Sequence, residues 1–345
     1  MNGANSSEAW FAETLATLLE RRDLGADAMR RLIERFVSGE CGEVEMASLL
    51  VALRMKGETA EELAAAASVL RERMVCLETG SAAVLDTCGT GGDGAGTFNI
   101  STATALVVAG AGVPVVKHGN RAISSASGSA DVLEALGVRP DGDPERARRC
   151  LERAGLAFCL APLFHPALRH VGGVRRRLGV RTLFNCLGPL VNPARTPYQL
   201  LGVGRPEWLD LMAGALARLG GTRRALLVCG HDGLDEVTLA APTRVREVRG
   251  DRVTAWEWQP DDFGLPPCSL EPLRVAGAQD SARIIRAVLA GTEGPALDIV
   301  LVNAAAALIA AERAATPREG VRLAREAIVS GRAAWVLEEL RAASS

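Results

Sequence analysis

The chain has 345 residues, of which 48% are hydrophobic and 23% are charged, as in an ordinary soluble globular protein. This composition excludes a disordered chain, a collagen-like repeat and a small disulfide scaffold. The length predicts one large domain or two smaller ones. The formal net charge of −2 and the pI of about 6.2 provide no overall basic field for nucleic acid.

Cysteine spacing and the longest apolar segments indicate the cellular setting. The eight cysteines are scattered, with no two at C-x-x-C spacing, so we expect neither a zinc ribbon nor a redox motif. Residues 1–11 lack a basic segment followed by an apolar run, so no signal peptide is predicted. The apolar stretch 103–116 contains glycine and proline and is shorter than the roughly 20 residues of a membrane span. We therefore expect a cytoplasmic protein with reduced thiols and no membrane partner.

Among the 39 Lys and Arg residues, only Lys56 and Lys117 are lysines. In such a chain a lysine arises either by chance or because its position needs a compact ammonium rather than a planar guanidinium. Lys117 lies among glycines and hydroxyl side chains, which favours the second explanation. Lys56 ends a predicted helix before Gly57, where a cation suits the helix dipole and arginine would serve as well.

Residues 1–80 have the pattern of four short amphipathic helices and lack the alternation of a strand. Thr59 and Glu62 form the sequence signature of a capping box, which predicts the start of the fourth helix. These helices would form a subdomain that packs alone or offers a dimer face.

After residue 81, predicted strands alternate with predicted helices, which favours an α/β sheet with helices on its faces. Short β-like runs between residues 237 and 275 predict antiparallel strands, and the chain is helical again after residue 280. The predicted strands are 83–86, 113–116, 156–160 and 224–229, and the predicted helices between them include 102–110, 132–136, 144–154 and 207–219.

The densest chemical signal is Asp86–Thr102, where five glycines lie between positions 89 and 96. Glycine lets backbone N–H groups approach an anion, and the following helix start adds partial positive charge. The segment therefore predicts a phosphate or pyrophosphate cradle, with Asn99, Ser101 and Thr102 as further donors. The simpler alternative is a turn in which Ser101 is the helix N-cap. The segment fits neither the dinucleotide-binding fingerprint nor the Walker A motif.

A second segment, Val115–Asp131, places Lys-His-Gly-Asn-Arg at the end of a β-branched strand, before a turn rich in serine and glycine. Ligands in open α/β sheets bind beyond the carboxyl ends of strands. We therefore expect this segment and the glycine-rich segment to meet, and to offer Lys117, Arg121 and several hydroxyls to a polyanion.

A third segment, residues 161–193, carries two histidines and a run of arginines. Arg175 and Arg176 point about 100° apart on a helix, so only one of them would face a given pocket. The run could bind nucleic acid, but a solvated face with one functional member is the commoner arrangement. His165 and His170 lack metal-ligand spacing, so we expect structural or ligand-contacting roles.

A fourth segment, Cys229–Glu236, holds the carboxylates Asp232, Asp235 and Glu236 in a glycine-containing loop after a strand. These acids are either turn residues or ligands of Mg²⁺, which takes one or two protein carboxylates together with water and substrate phosphate. The polyanion cradle elsewhere in the chain favours magnesium.

Taken together, the four segments resemble the anthranilate phosphoribosyltransferase family. The motifs D-T-C-G-T-G-G-D, F-N-I-S-T, V-K-H-G-N-R, R-x-x-L-G-x-R-T-x-F-N-x-L-G-P-L-x-N-P and G-x-D-G-L-D-E appear in order across residues 86–236. The carboxyl-terminal third fits in its general pattern only. The resemblance implies the α/β fold of class III nucleoside phosphorylases, with a mixed, mainly parallel central sheet. It implies a helical domain of residues 1–80, joined by part of residues 165–195, and an α/β domain of residues 81–345 that binds phosphoribosyl pyrophosphate.

The resemblance also implies an activity and its partners. A glycosyltransferase of the pentosyltransferase class would transfer phosphoribosyl from phosphoribosyl pyrophosphate to the amine of anthranilate, in the second step of tryptophan biosynthesis. The products would be N-(5-phosphoribosyl)anthranilate and pyrophosphate. The resemblance further implies two Mg²⁺ per monomer and a homodimer formed through the helical domain. It implies no nucleic-acid or membrane partner. No general acid or base is assigned.

The resemblance assigns the family's site residues to the matching positions of this chain. Those for phosphoribosyl pyrophosphate are Gly89, Gly92, Asp93, Thr97, Asn99, Ile100, Ser101, Thr102, Lys117, His118, Gly119, Asn120, Arg121, Ala122, Ile123, Ser124, Ser125 and Ser129. Those for anthranilate are Gly89, Asn120 and Arg175, and those for magnesium are Ser101, Asp235 and Glu236.

Two other functions are compatible with this fold. A pyrimidine nucleoside phosphorylase would use inorganic phosphate and a nucleobase, but the Lys117–Arg121 motif and the Asp235–Glu236 pair argue against it. A nucleic-acid-binding paralogue should carry a basic surface and lack the paired acids, whereas this chain is slightly acidic and retains both.

Overall fold

The computed structural model describes residues 2–80, 83–122 and 128–345, with side chains described from residue 9 onward. The amino-terminal part consists of four helices, as the sequence predicts. They are α1 (Asn2–Leu19), α2 (Ala26–Ser38), α3 (Glu43–Lys56) and α4 (Ala60–Arg73). The predicted capping box at the start of α4 is confirmed, because the Glu62 N–H donates to Thr59 Oγ1 at 3.2 Å and the Thr59 N–H donates to Glu62 Oε2 at 2.9 Å.

A seven-stranded sheet forms the centre of the larger part of the molecule, in the order β3-β2-β1-β4-β5-β6-β7. Its strands are β1 (Leu85–Gly89), β2 (Val115–Gly119), β3 (Leu156–Leu160), β4 (Tyr198–Gly202), β5 (Arg224–Gly230), β6 (Thr243–Arg249) and β7 (Arg252–Trp258). The first five strands are parallel to one another, and β6 and β7 are antiparallel. The predicted α/β fold with a mixed, mainly parallel sheet is therefore confirmed.

Helices cover both faces of this sheet. The helices that follow α4 in the chain are α5 (Ile100–Gly110), α6 (Ser129–Ala135), α7 (Pro144–Ala154), α8 (Ala161–Phe164), α9 (Arg169–Leu178), α10 (Phe184–Leu187), α11 (Trp208–Leu219), α12 (Ala278–Leu289), α13 (Pro295–Ala310), α14 (Pro317–Val329) and α15 (Arg332–Ser344). One hydrophobic core lies between the sheet and a face formed by α5, α7 and α12–α15. The other joins the opposite face, through α11, to α2–α4 and α9. No helix in the described part of the chain is long and apolar enough to span a membrane.

Two differences from the predicted elements matter for the site. Strand β2 begins two residues later than predicted and extends to Gly119, so Lys117 and His118 are strand residues with buried side chains. Strand β4 was not predicted, although it lies at the centre of the sheet between β1 and β5. Its sequence, Y-Q-L-L-G, is short and flanked by proline and glycine, and because both its faces are buried it lacks the alternation that marks a half-exposed strand.

Lys56 ends α3, as predicted, but its ammonium also has partners in other segments, one of them buried. Its side chain is only 2% exposed, and its Nζ donates to Asp23 Oδ1 at 2.7 Å, Glu62 Oε2 at 2.9 Å and the Gly57 carbonyl at 2.6 Å. Glu62 is fully buried and also accepts the Leu24 N–H at 2.8 Å. Three acceptors converge on one point, which suits the three donors of an ammonium and not a planar guanidinium. The geometry therefore argues against the expectation that arginine would serve as well.

We expect Lys56→Met to lower the free energy of unfolding by about 3 kcal/mol, because it leaves the Glu62 carboxylate buried without its cation. Lys56→Arg should cost about 1 kcal/mol, since the guanidinium cannot satisfy all three acceptors. Urea denaturation measures both. The control is Arg22→Met, which removes an exposed ion pair with Glu20 and should change stability by less than about 0.5 kcal/mol. A Lys56→Arg variant as stable as the parent would contradict the argument.

Candidate active site

The glycine-rich segment crosses the carboxyl ends of β1 and β4. The Thr90 N–H donates to the Gly202 carbonyl at 2.9 Å, and the Gly204 N–H donates to Thr90 Oγ1 at 3.0 Å. Gly91 and Gly92 have φ values of 65° and 76°, in the left-handed region that favours glycine. The loop therefore takes a shape that other residues adopt only with strain, and it presents backbone rather than side chains at this end of the sheet.

Asn99 is the N-cap of α5, because its Oδ1 accepts the Thr102 N–H at 3.1 Å. Ser101 is the second residue of the helix, so the alternative in which Ser101 is the cap is wrong. The Asn99 N–H in turn donates to Ser281 Oγ at 2.8 Å, which ties the helix start to α12. Because Asn99 provides the cap, the Ser101 hydroxyl can accept a hydrogen bond from the Lys117 ammonium of β2.

Lys117 provides a compact, buried positive charge below the helix start. Its side chain is 4% exposed, and its Nζ donates to the Thr87 carbonyl and to Ser101 Oγ, the latter at 3.0 Å. Burial lowers the pKa of the ammonium, and the neighbouring Asp86 carboxylate partly offsets that effect. These close contacts agree with the interpretation that this position needs a lysine.

Asp86 is fully buried and joins three segments around Lys117. Its Oδ1 accepts the His118 N–H at 3.2 Å and its Oδ2 accepts Asn192 Nδ2 at 2.7 Å. Asn192 Nδ2 also donates to the Val116 carbonyl at 2.9 Å. Sequence reasoning missed Asp86 and Asn192 as parts of the site, although both lie within the motifs that it singled out.

The loop after β5 brings two acids against the glycine-rich segment. A Cβ at Gly202 would overlap the Asp235 carbonyl oxygen, and a Cβ at Gly89 would lie 3.1 Å from Asp235 Oδ2. Glycine at these two positions therefore allows the loop to close onto the ends of β1 and β4. The Asp235 N–H lies 3.5 Å from Asp93 Oδ2.

Three carboxyl groups are crowded at this point. Burial and the nearby Asp93 carboxylate raise the pKa of Asp235 to about 7. Burial and Asp235 raise the pKa of Glu236 well above its usual range, even though the Glu236 carboxylate accepts the backbone N–H of Ser101. Like charges held this closely are relieved by a bound cation. The third acid of the sequence motif, Asp232, stands apart, since it accepts the Thr238 hydroxyl at 2.7 Å and stabilises the turn.

The residues present fit magnesium rather than zinc. Within residues 2–80, 83–122 and 128–345, no three His, Cys, Asp or Glu side chains are placed to hold a metal ion together. Magnesium needs only one or two carboxylates and takes its other ligands from water and phosphate. The oxygens of Asp235, Glu236 and Ser101 are hard donors of the kind that it prefers.

Arg121 is exposed and forms ion pairs with two acids of α6. Its guanidinium pairs with Glu134 and, at 3.2 Å, with Asp131 of α6, and the Glu134 carboxylate raises its pKa. Asn120 and Ala122 are exposed beside it, and the Ala122 N–H donates to Asp131 Oδ2 at 2.8 Å. The predicted site residues Ile123, Ser124 and Ser125 lie outside the described residues.

His118 and His165 form a buried pair at the end of β2, with ring centroids 5.0 Å apart. His118 Nδ1 lies 3.0 Å from the Gly188 carbonyl, and the Nε2 atoms of both rings are buried without a partner among the described residues. Burial lowers the pKa of His118 to about 3 and that of His165 to about 4. Both rings are therefore neutral at pH 7.

Arg175 carries a partly buried guanidinium without an acidic partner. It lies in the last turn of α9, with its guanidinium carbon 5.4 Å from the centre of the Phe184 ring. Burial lowers its pKa, and no hydrogen bond or ion pair joins its side chain to another described residue. Arg176 is exposed, and Arg177 is exposed and pairs with Glu43. Only Arg175 among these three is thus a partly buried cation available to a ligand.

Arg181, also in the third segment, contacts the glycine-rich loop. Its guanidinium donates to the Gly92 carbonyl and lies 5.9 Å from the Trp208 ring. It therefore links the segment after α9 to the glycine-rich loop.

Both histidines should make stability depend on pH. Their pKa values lie below the unfolded value of about 6.5, so the unfolded chain binds more protons as pH falls from about 6.5 to about 4, and stability is lost in that window. His165→Gln should flatten the slope by up to about 1.4 kcal/mol per pH unit, measured by urea denaturation. The exposed His231, changed to Gln, is the control. Equal slopes for the parent and His165→Gln would contradict a neutral, buried His165.

Two family models match the chain. One is described as the helical bundle domain of a glycosyl transferase family, over residues 12–74, and the other as the a/b domain of that family, over residues 81–334. Among curated relatives, the anthranilate phosphoribosyltransferase of Thermomicrobium roseum is 52% identical over 326 residues, with 93% of each chain covered. That of Thioalkalivibrio sulfidiphilus is 49% identical over 328 residues, covering 95% of this chain and 97% of the relative.

Solved structures of the same enzyme are also similar. The crystal structure from Thermus thermophilus has a TM-score of 0.90 at 44% identity, covering 96% of this chain and 99% of its own. The Saccharomyces cerevisiae enzyme in complex with PRPP (phosphoribosyl pyrophosphate) and Mg has a TM-score of 0.88 at 30% identity, with 98% of each chain covered. A second yeast structure, with 4-fluoroanthranilate, has the same TM-score at 29% identity and the same coverage.

Proposed function

This chain belongs to the anthranilate phosphoribosyltransferases, and we propose that its reaction takes place in the cleft at the carboxyl ends of β1, β2 and β5. The reaction transfers the phosphoribosyl group of phosphoribosyl pyrophosphate to the amine of anthranilate and releases pyrophosphate, in tryptophan biosynthesis. One observation carries the proposal. The glycine-rich loop, the buried Lys117 ammonium and the crowded acids Asp235 and Glu236 lie together at one end of the sheet.

The loop and the end of β2 hold phosphoribosyl pyrophosphate in this proposal. Backbone N–H groups, the α5 start and the Lys117 ammonium together suit a polyanion. Arg121 reaches the ligand only by leaving Asp131 and Glu134. The assigned residues are Gly89, Gly92, Asp93, Thr97, Asn99, Ile100, Ser101, Thr102, Lys117, His118, Gly119, Asn120, Arg121, Ala122, Ile123, Ser124, Ser125 and Ser129.

Magnesium use is supported by the yeast relative solved with PRPP and Mg. We assign two ions per monomer to Ser101, Asp235 and Glu236, since a divalent cation would relieve the repulsion that raises the pKa values of both acids. Bound magnesium supplies positive charge where negative charge builds on the leaving pyrophosphate. Lys117 and the backbone N–H groups of the loop add fixed positive charge from the protein itself.

Anthranilate is assigned to Gly89, Asn120 and Arg175. The planar guanidinium of Arg175 matches a planar carboxylate, and the binding of this anion would neutralise a cation that has no acidic partner in the described chain. The aromatic amine is neutral at pH 7, so it attacks the ribosyl carbon without a strong general base. Catalysis then rests on positioning and on stabilisation of the leaving group. Neither the nucleoside phosphorylase nor the nucleic-acid-binding alternative is favoured, because the curated relatives are anthranilate phosphoribosyltransferases.

The domain organisation remains the one that the family resemblance implies. We propose a helical domain of residues 1–80, joined by part of residues 165–195, and an α/β domain of residues 81–345. The packing of α9 against α2 and α3 supports this division, since α9 belongs to the joining segment. It also places Arg175 on an element that contacts the helical domain.

We further propose that the enzyme is a cytoplasmic homodimer. Val44, Val51 and Met55 are exposed at spacings of seven and four residues on α3, and Leu19 is exposed at the end of α1. Apolar residues that share an exposed helix face are typical of a subunit interface. All eight cysteines are free thiols, as expected in a reducing compartment. Light scattering of the purified protein decides between monomer and dimer.

Arg175→Ala should raise the KM for anthranilate by about 10- to 100-fold, because it removes charged hydrogen bonds to the carboxylate. The KM for phosphoribosyl pyrophosphate should change less than about threefold. The fall in anthranilate fluorescence on conversion measures both. Arg176→Ala, at the exposed neighbouring position, should leave both constants unchanged. Equal increases in the two KM values for Arg175→Ala would contradict the assignment.

The combined substitutions Asp235→Asn and Glu236→Gln should lower kcat by about 10³-fold or more, since they remove the charges assigned to magnesium. The matched control is Asp232→Asn, in the same loop but outside the carboxyl cluster, which should retain activity. Steady-state assays across a range of Mg²⁺ concentrations test both variants. Normal turnover of the double variant at saturating Mg²⁺ would refute the metal role.

A further inference from the structure

A polar cavity lies at the other end of the sheet from the proposed active site. It has a volume of about 240 Å³ and sits between the end of α4, the segment that leads into β4 and the loop that joins α11 to β5. Because β4 and β5 are parallel and their carboxyl ends face the cleft, the cavity opens beside their amino ends. None of the residues assigned to the substrates or to magnesium lines it.

Two guanidinium groups without acidic partners line this cavity. Arg71 Nε donates to the Leu190 carbonyl at 2.7 Å, and Arg195 donates to the Arg71 carbonyl at 3.3 Å. Neither side chain forms an ion pair with any acid of the described chain. Burial and the proximity of Arg195 lower the pKa of Arg71 to about 10. The adjacent acid, Glu72, is already paired with Arg30 at 2.8 Å.

Neutral donors complete the lining. Thr196 is 8% exposed, and its Oγ1 is buried without a hydrogen-bond partner among the described residues. Gly220 and Gly221 have positive φ values of 68° and 80°. Consecutive residues of this kind turn the chain and can present backbone N–H groups to an anion. A buried hydroxyl without a partner costs free energy unless a ligand or water satisfies it.

The positive charge exceeds what the local structure needs. The carboxyl ends of α4 and α11 both reach this cavity, and each carries about half a negative charge. The two guanidinium charges exceed these partial charges, and the nearby Glu72 carboxylate is held mainly by Arg30, with smaller contributions from Arg73 and Arg195. Arg195 also has a φ of 46°, in the region that favours glycine or asparagine.

We propose that this cavity is a second anion site, which binds a small oxyanion of the phosphate class. Guanidinium forks match the oxygens of phosphate, and Thr196 can donate to an oxygen that the arginines leave free. The volume of about 240 Å³ lies below the roughly 300–1,000 Å³ of sites for drug-sized ligands, which favours a small oxyanion over a nucleotide or phosphoribosyl pyrophosphate. A bound anion would bridge α4, the segment before β4 and the α11–β5 loop, and would stabilise the contact between the helical and α/β parts.

The test compares Arg195→Asn with the parent protein, using inorganic phosphate as the probe. Asparagine tolerates the left-handed backbone, so the substitution removes the guanidinium without adding strain. Calorimetric titration of the parent should show phosphate binding at the cavity in addition to any binding at the cleft. In Arg195→Asn the dissociation constant at the cavity should rise at least about tenfold, and the phosphate-dependent increase in Tm should shrink. The kcat and both KM values should stay unchanged.

Arg21→Asn is the matched control, because Arg21 is another exposed arginine with a positive φ, 57°, and does not line the cavity. It should bind phosphate like the parent. Equal phosphate binding by Arg195→Asn and the parent would overturn the proposal, as would an equal loss in Arg21→Asn. Acetate at the same ionic strength should have no effect, and a response equal to that of phosphate would overturn the assigned ligand class. Arg71→Gln, if it folds, should behave like Arg195→Asn.

Discussion

The enzyme depends on holding acids of like charge close together at one end of a parallel sheet. Asp235 and Glu236 follow β5, Asp93 lies in the loop after β1, and the buried Lys117 ammonium of β2 lies beside them. Burial and the Asp93 carboxylate raise the pKa of Asp235, and burial and the Asp235 carboxylate raise the pKa of Glu236, so the cluster favours a bound cation. The same repulsion supports the proposal that magnesium and a polyanion bind at this end of the sheet.

The surrounding backbone is shaped to permit this crowding. Glycine at positions 89 and 202 lets the Asp235 loop close onto the strand ends. Asn99 caps α5 in place of Ser101, which leaves the Ser101 hydroxyl beside Lys117. Below these groups, Asp86 and Asn192 join β1, β2 and the segment before β4 in one buried network. Lys117 and the strands around it are therefore held by buried hydrogen bonds.

The two lysines show that ammonium chemistry recurs in both parts of the molecule. Lys56 neutralises the buried Glu62 within the helical part, and Lys117 plays the equivalent electrostatic role beneath the cleft. At both positions several oxygens converge on one nitrogen, a geometry that a planar guanidinium does not fit. Arginine stands instead where the contacts are a flat ring or a single carbonyl, as at Arg175, which lies over the Phe184 ring, and at Arg181, which donates to the Gly92 carbonyl.

The sequence by itself determined the features that depend on neighbouring residues. Local patterns predicted the Thr59–Glu62 capping box, the glycine-dependent loop after β1 and the alternation of strands with helices. The motifs identified the family. Tertiary structure decided what depends on residues distant in the chain. Strand β4 is defined by its pairing with β1 and β5. The burial of Lys56 depends on Asp23 and Glu62, which pack around its ammonium. The ion pairs of Arg121 depend on α6, which carries Asp131 and Glu134. A local pattern specifies a residue's conformation, whereas burial and charge partners arise when separate segments converge.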